Sequence, residues 1–412
     1  MQPRNRRVLI SGASVAGPVL AYWLRRYGFE PTVVELADEL RAGGYPIDVR
    51  GQAVTVAERM GLLPEVRAAG VDTAELTFVD GTGRTRASLN MRAMRKASGS
   101  NDIELRRGDL VRILCAATTA DVEYCFGDRI TALRQHARGV HVEFEHGAAR
   151  EFDLVLGADG LHSGVRGLAF GPEREFLRYL GYYFGGADVD PRFGAPDRVV
   201  LRSAPNRGVG VYRFGEQAAA FYLFASEQQL DYDYRDPIAP CRFFAERFTD
   251  DFWPTGVIEV IRATEGMYFD SVSQVRMPAW STGRVAVVGD AAYCPTLVTG
   301  AGTSLAMVGA YLLAGELHAA AGDHERAFAA YERRFRPQVT KAQSGTPEGA
   351  RMMIPATEGA IWRRNQLLRL APLAVAMAGM QRRFARPDSG QELLDYSAVV
   401  SAAPSPPPAR LR

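Results

Sequence analysis

The chain has 412 residues, 47% of them apolar, and a formal net charge of +2. That length is enough for two or three compact units with large cores, and so even a charge balance points to neither a nucleic-acid footprint nor an acidic tail. Lysine occurs only at Lys96 and Lys341, and the cysteines Cys115, Cys125, Cys241 and Cys294 are scattered without CxxC spacing. The spacing argues against a redox dithiol or a zinc knuckle and for reduced thiols in a cytoplasmic protein.

Val8-Leu9-Ile10 is too short an apolar run for the core of a signal peptide. It reads instead as a buried strand, followed by Gly12-Ala13-Ser14-Val15-Ala16-Gly17, a helical pattern to Tyr27, a stop at Gly28 and a second strand, Pro31 to Glu35. This strand, turn, helix and strand carry G-x-S-x-x-G in the turn, and an acidic residue, Glu35, about 20 residues past it, where a ribose hydroxyl partner belongs. Gly12 permits a tight turn and Gly17 lets helix and strand approach. Ser14 takes the place of the glycine that usually lets the backbone reach a pyrophosphate.

Arg41 to Arg50 reads as a loop containing Gly43-Gly44 and Asp48. The stretches 75–79 and 84–88 flank Asp80-Gly81-Thr82-Gly83 and predict a hairpin. Arg107-Gly108-Asp109-Leu110 opens a helix to about Ala117, and a cation at a helix start is unfavourable unless an anion pairs with it. Short strands are expected near 122–126, 129–135 and 140–145. A buried strand then runs from Phe152 into the turn Gly157-Ala158-Asp159-Gly160, with Ser163 and Arg166 just beyond. His162, in the same stretch, reads as a surface turn residue.

From Tyr179 to Ser226 the pattern shifts to partly alternating strands, 198–203, 208–214 and 218–225, dense in aromatics. This predicts a largely antiparallel sheet inserted into the α/β framework. Most of its rings serve sheet packing, and a minority could line a pocket for a planar apolar substrate. Helical patterns near 238–249 and 257–262 lead to a third strand, Val285 to Val288, and the turn Gly289-Asp290. The loop to Gly300-Ala301-Gly302-Thr303-Ser304 then opens a packed helix, Leu305 to Leu317. A carboxylate at a strand end beside a helix start makes a polar ligand site. Helix patterns dominate from about Phe335 to about Ala385. The apolar stretch 367–380 is broken by Arg369 and Pro372 and is shorter than the roughly 20 residues of a membrane span. The proline-rich residues 401–412 read as a disordered tail.

The order and spacing of the turns near residues 12, 159 and 290 give the chain a clear resemblance to the class A flavoprotein monooxygenases, the para-hydroxybenzoate hydroxylase type, over roughly residues 6 to 345. The loop Gly43-Gly44-x-x-Ile47-Asp48 and the lack of a long C-terminal extension are most similar to the antibiotic-modifying and tetracycline-inactivating members. The resemblance implies a Rossmann-like FAD-binding domain (1–72, 98–178 and 276–340), an inserted β-sheet substrate domain (73–97 and 179–275) and C-terminal helices (341–400). It also implies roles for individual residues. Gly12, Ser14, Val15, Ala16 and Gly17 would cradle the FAD pyrophosphate, and Glu35 would hold the adenosine ribose. Arg107 and Leu110, in the R-x-x-L pattern, would contact FAD. Asp159-Gly160 would serve FAD and transient nicotinamide, and Asp290 would hold the ribityl chain. Arg41 and Asp48 would stand near the flavin or the nicotinamide, and Gly300, Ala301 and Gly302 beside the flavin ring. Three departures bear on that ring: Tyr293 stands where many members have His, Ser304 where many have Asn, and Leu297 where a Pro commonly shapes the pocket.

The implied chemistry resides in the cofactor, with no catalytic side chain and no metal. NADPH or NADH reduces FAD, O2 forms a C4a-hydroperoxyflavin, and one oxygen atom passes to an aromatic or polycyclic small molecule, in natural-product tailoring or antibiotic modification. Epoxidation, Baeyer–Villiger insertion or simple oxidation on the same fold is the first alternative, and a flavin-binding protein without turnover the second. No second dinucleotide fingerprint is present, which fits a nicotinamide that visits the flavin without a domain of its own. Arg198, Tyr212, Arg213, Phe221 and Pro295 are the candidates for the substrate pocket, although neighbours such as Tyr212 and Arg213 cannot face it together. No nucleic-acid or membrane partner is expected.

Overall fold

A computed structural model describes residues 3–40, 44–98, 100–233, 236–253, 256–265, 267–344, 348–382 and 393–396, with the backbone alone for 98, 348 and 371–382. Arg41 and the tail 401–412 lie outside the described residues. Two sheets organise the chain. The first runs Ser281–Thr282, Val285–Val287, Leu154–Gly157, Arg7–Ser11, Glu30–Glu35 and Glu123–Phe126, parallel except at the edge strand Ser281–Thr282. Its inner strands are short apolar runs because helices cover both faces, which leaves no solvent side for polar alternation. Ser11 pairs with Gly157 and Gly157 with Val287, so the three sequence-predicted turns leave the same edge of the sheet side by side. Such an edge, where connections depart to opposite sides, is where open α/β sheets bind ligands.

The helix Ala16–Arg26 returns the chain from the first strand to its neighbour and packs against Gly302–Ala319. Residues 305–317 of that second helix are buried throughout, so it forms the spine of the core. Close packing here depends on glycine. A Cβ at Gly17 would lie 1.8 Å from the Gly12 carbonyl oxygen, and one at Gly12 would lie 2.5 Å from the Ala158 carbonyl oxygen.

The second sheet is seven-stranded, in the order Tyr268–Val275, Leu177–Val189, Gln217–Ala225, Arg207–Phe214, Arg198–Ala204, Glu75–Val79 and Thr85–Asn90. It is antiparallel except where the 75–90 hairpin joins it, with Arg198 opposite Glu75. One face is sealed by the helices Ala239–Ala245 and Val257–Ala263, with Phe244 and Phe248 packed against Tyr222, beside Phe224, of the sheet. Each such ring contributes about 1.5–3 kcal/mol when fully buried. The other face carries Leu201, Tyr212, Phe214 and Phe221 and looks toward Tyr45, with Met353 and Leu368 of the C-terminal helices Glu348–Met353 and Glu358–Arg382 closing part of it. A two-stranded ribbon, Pro46–Val49 with Ile103–Arg106, lies between the two layers.

Two glycines test this packing in opposite directions. Gly17→Ala must displace backbone and should cost about 1–3 kcal/mol in chemical denaturation. Gly167→Ala, at an exposed position of the helix Gly164–Phe170 with open space where its Cβ would stand, should instead stabilise by about 0.5–1 kcal/mol.

Candidate functional site: a cofactor cleft at the sheet edge

The three turns are tied to one another by their own polar groups. Asp159 accepts from Ser11 Oγ (3.3 Å), Ser163 Oγ (2.5 Å) and the Val165 amide (3.0 Å). Burial pushes its carboxyl up, opposed by the Ser163 hydroxyl, the Val165 amide and Arg166. Asp159 therefore anchors the first strand and the helix Gly164–Phe170, while Gly160 beside it faces open space. Glu35 accepts from the Ala13 amide (2.7 Å) with one oxygen and from the Ala37 amide (3.0 Å) with the other. The carboxylate is thereby fixed at the end of the second strand, with lone pairs left for hydroxyl donors.

The helices Ala16–Arg26 and Gly302–Ala319 both begin without a side-chain cap, and residues 300–304 are half-exposed. Their first amides are thus available to an electron-rich ligand. The Ser14 hydroxyl accepts from Arg107 Nη2 at 2.8 Å. The serine in place of a glycine thus holds the arginine that starts the helix Arg107–Ala116 beside the first turn. Asp290 is half-buried beside Gly302, 3.5 Å from where a Cβ there would stand. Its burial raises the carboxyl pKa, and Arg107 and a hydrogen bond from Cys294 oppose that rise. Val15, Ala16 and Leu110 are core residues that set the turn and helix from behind.

Asp48 and Arg50 pair at 2.5 Å and sit against Gly300. Burial first, then Glu104 and Asp102, push the Asp48 carboxyl up to about 6 against the pull of Arg50. Ser304 cross-links this strand to the helix: its hydroxyl accepts from the Arg50 amide (2.9 Å) and donates to the Asp48 carbonyl (3.2 Å). Tyr293 is buried and bonded to the Tyr331 hydroxyl at 2.9 Å, whereas Leu297 is 38% exposed at the loop. Between them Thr296 adopts φ 102°, a strained conformation for a β-branched residue, with its buried hydroxyl unpartnered among the described residues.

Opposite these groups stands an aromatic wall of Tyr45, Phe184, Phe221 and Tyr268, with ring centroids 5.2 Å (Tyr45–Phe184), 6.0 Å (Phe184–Phe221) and 6.2 Å (Phe184–Tyr268) apart. It exists because two strand glycines leave room on this face. The Tyr45 hydroxyl reaches over Gly186 to the Ala220 carbonyl (3.0 Å), and the Phe221 ring lies over Gly210. Tyr268 is 41% exposed and close enough to Arg107 and Asp290 to feel their charges.

The five predicted pocket residues separate. Phe221 belongs to the wall. Tyr212 is on the same face, but its hydroxyl is taken by Thr73 and Glu104. Arg198 and Arg213 alternate onto the opposite face, where Arg198 is exposed and paired with Glu75. This is a correction to their expected place, imposed by strand periodicity. Pro295 is buried, its carbonyl accepting from Gln274. Tyr45, Tyr268, Arg50 and Glu104 were not anticipated; glycine inside predicted strands was the available sign of close approach. His162 also departs from the surface reading, with its side chain 20% exposed and both ring nitrogens paired.

The residues fit FAD: two uncapped helix starts and Arg107 for a pyrophosphate, Glu35 and Asp290 for hydroxyls, and an aromatic wall in which only Phe184 and Phe221 are near-parallel, with Tyr45 and Tyr268 set at steep angles to Phe184. Removing the Arg107 guanidinium (Arg107→Ala) should weaken FAD binding by about tenfold or more, the worth of a charge-assisted contact, in a fluorescence titration of apoprotein. Asp48 gives a pH test. Its carboxyl is raised in the fold, so its ionisation costs stability as pH rises through about 6, and below its unfolded value there is no cost. Asp48→Asn should therefore be more stable than wild type above about pH 6 and converge with it near pH 4 in thermal melts of apoprotein.

Residues 5–345 match the family model for an FAD binding domain. An uncharacterized protein of Mycobacterium tuberculosis is 43% identical over 343 residues, covering 82% of this chain and 92% of that one. A flavin-dependent monooxygenase from an unknown prokaryotic organism is 37% identical over 345 residues, covering 83% and 89%. Among solved structures, the tetracycline destructase Tet(55) superposes with a TM-score of 0.78 at 33% identity, covering 96% of this chain and all of that one. The family model spans most of the chain and the relatives align along nearly all of their own length: this chain belongs to the class A FAD-dependent monooxygenases.

Proposed function

We propose that this chain inserts one oxygen atom of O2 into an aromatic or polycyclic small molecule, in natural-product tailoring or antibiotic modification, with NADPH or NADH as reductant. The observation that carries the reading is the aromatic wall Tyr45–Phe184–Phe221–Tyr268, whose exposed end, Tyr268, lies near Arg107 and Asp290. A planar ring system can lie against such a wall with little loss of its own freedom. The similarity to a tetracycline destructase supports a polycyclic substrate.

Bound FAD supplies the redox chemistry, in which NAD(P)H, a proton, O2 and R–H become NAD(P)+, R–OH and water. The chain's own residues do the rest. The free amides of residues 302–304 stabilise negative charge placed on a ring beside them. Arg107, held by Ser14, would neutralise a phosphate oxygen, and Glu35 and Asp290 would accept from ribose and ribityl hydroxyls. Residues 1–72, 98–178 and 276–340 would serve the cofactor, and 73–97 with 179–275 the substrate. Cys115, Cys125, Cys241 and Cys294 are all free thiols, which supports work in the reducing cytoplasm. Among the described residues no helix is long and apolar enough to cross a membrane.

The test is the visible spectrum of the purified protein, followed by anaerobic addition of NADPH and NADH with and without polycyclic phenols. A flavin spectrum that bleaches, faster with one of the phenols, and a product heavier by one oxygen are expected. A colourless protein that FAD cannot reconstitute, or a bound flavin that neither nucleotide reduces, would sink the proposal.

A further inference from the structure

His162 stands where the two sheets meet. Its Nδ1 lies 3.0 Å from a Glu173 oxygen and its Nε2 lies 3.1 Å from an Asp270 oxygen. Glu173 follows the helix Gly164–Phe170 on the cofactor side, whereas Asp270 belongs to strand Tyr268–Val275 of the second sheet. A neutral imidazole donates from one nitrogen only, so it would leave one carboxylate facing a lone pair. The imidazolium donates to both. The geometry therefore selects the charged ring.

The other charges around it agree with that assignment. Arg166, fully buried, donates to the second oxygen of Glu173 (2.8 Å), to the Leu161 carbonyl (2.6 Å) and to the Ala291 carbonyl (3.0 Å), one residue past Asp290. Asp159, Asp290, Cys294, Tyr183, Tyr232 and Tyr268 are further titratable neighbours of the cluster. Asp270 is 6% exposed and takes the Ser271 amide as its other donor. Burying a carboxylate is costly unless it is paired and hydrogen-bonded. Asp270 and Tyr268 point to the same face of their strand, two residues apart. Holding Asp270 therefore restrains the strand segment that carries Tyr268.

We propose that His162 is a positioning residue: as an imidazolium bridging Glu173 and Asp270, it latches the second sheet to the Asp159-Gly160 turn and sets Tyr268 against Arg107 and Asp290. The latch is independent of the oxygenase reading; its effect on turnover is not. The two carboxylates overcome the desolvation that opposes the charge and raise the imidazole pKa to about 9. An ordinary imidazole titrates near 6.5, so the latch contributes its full stability below about pH 6.5 and loses it as pH rises through about 9.

The test uses the full-length apoprotein, so its failure is separate from any failure to find a substrate. Thermal melts from about pH 6 to about pH 9.5 should show a falling Tm for wild type across the window bounded by these two pKa values. His162→Gln should start several degrees lower and lose that fall relative to wild type. Asp270→Asn should do the same, and the double variant should add nothing to the larger single loss. In histidine-labelled wild type, one of the six imidazoles should titrate well above the rest by NMR. Parallel Tm profiles for wild type and His162→Gln, or six imidazoles all titrating near the ordinary value, would overturn the latch. Parallel profiles, together with a raised KM for NADPH when the FAD-loaded His162→Gln enzyme is assayed, would also overturn the latch and make His162 a contact for that anionic cosubstrate instead.

Discussion

Everything at the cleft depends on three strand ends lying level and almost in contact. The parallel ladder pairs Ser11 with Gly157 and Gly157 with Val287, which delivers the Gly12, Asp159 and Asp290 turns to one edge. Peptide units can approach this closely only where a Cβ is missing, and Gly12 and Gly17 remove two that would overlap carbonyl oxygens. Once the turns touch, the remaining contacts are short-range consequences. Ser11 reaches Asp159, Glu35 reaches the Ala13 amide, and two helices begin with free amides over the same space.

That edge concentrates carboxylates, and arginine is the cation that organises them. Burial raises Asp48, Asp159 and Asp290, while Arg50, Arg166 and Arg107 pull the other way. The planar fork matters at each place. Arg166 spreads three donations over a carboxylate and two carbonyls belonging to different turns, which a single ammonium could not do with the same rigidity. The arginine-rich composition thus has a structural use here that the composition alone did not explain. The cluster also continues across the sheet boundary, through Glu173 and His162 to Asp270, so that the edge of the first sheet and the strand that carries Tyr268 share one electrostatic network.

The wall depends on missing side chains in another way. Gly186 and Gly210 lie on either side of Phe221 in the ladder and face the cleft, so the Tyr45 hydroxyl and the Phe221 ring can settle onto bare backbone. The opposite face of the same strands carries the packed cluster under the two small helices. One sheet thereby presents a sealed core on one side and a half-open aromatic surface on the other, with the C-terminal helices closing part of the opening.

What could be read from the sequence was whatever is local. Buried apolar runs, glycine turns, the position of Glu35 and the change to alternating strands all depend on neighbours a few residues away, and they carried the fold class and the family. Facts that join distant segments stayed out of reach. Ser14 holds Arg107 from 93 residues away, and His162 meets Asp270 across 108. Alternation showed that Tyr212 and Arg213 face apart, yet which of them meets the cleft depended on where the small helices pack. Tyr293 and Ser304 read as departures beside the flavin ring. One is core, bonded to Tyr331, and the other is a cross-link to the Asp48 strand. Periodicity determines that a side chain has a face; only the tertiary structure decides what that face meets, because burial and pairing come from segments the local sequence does not contain.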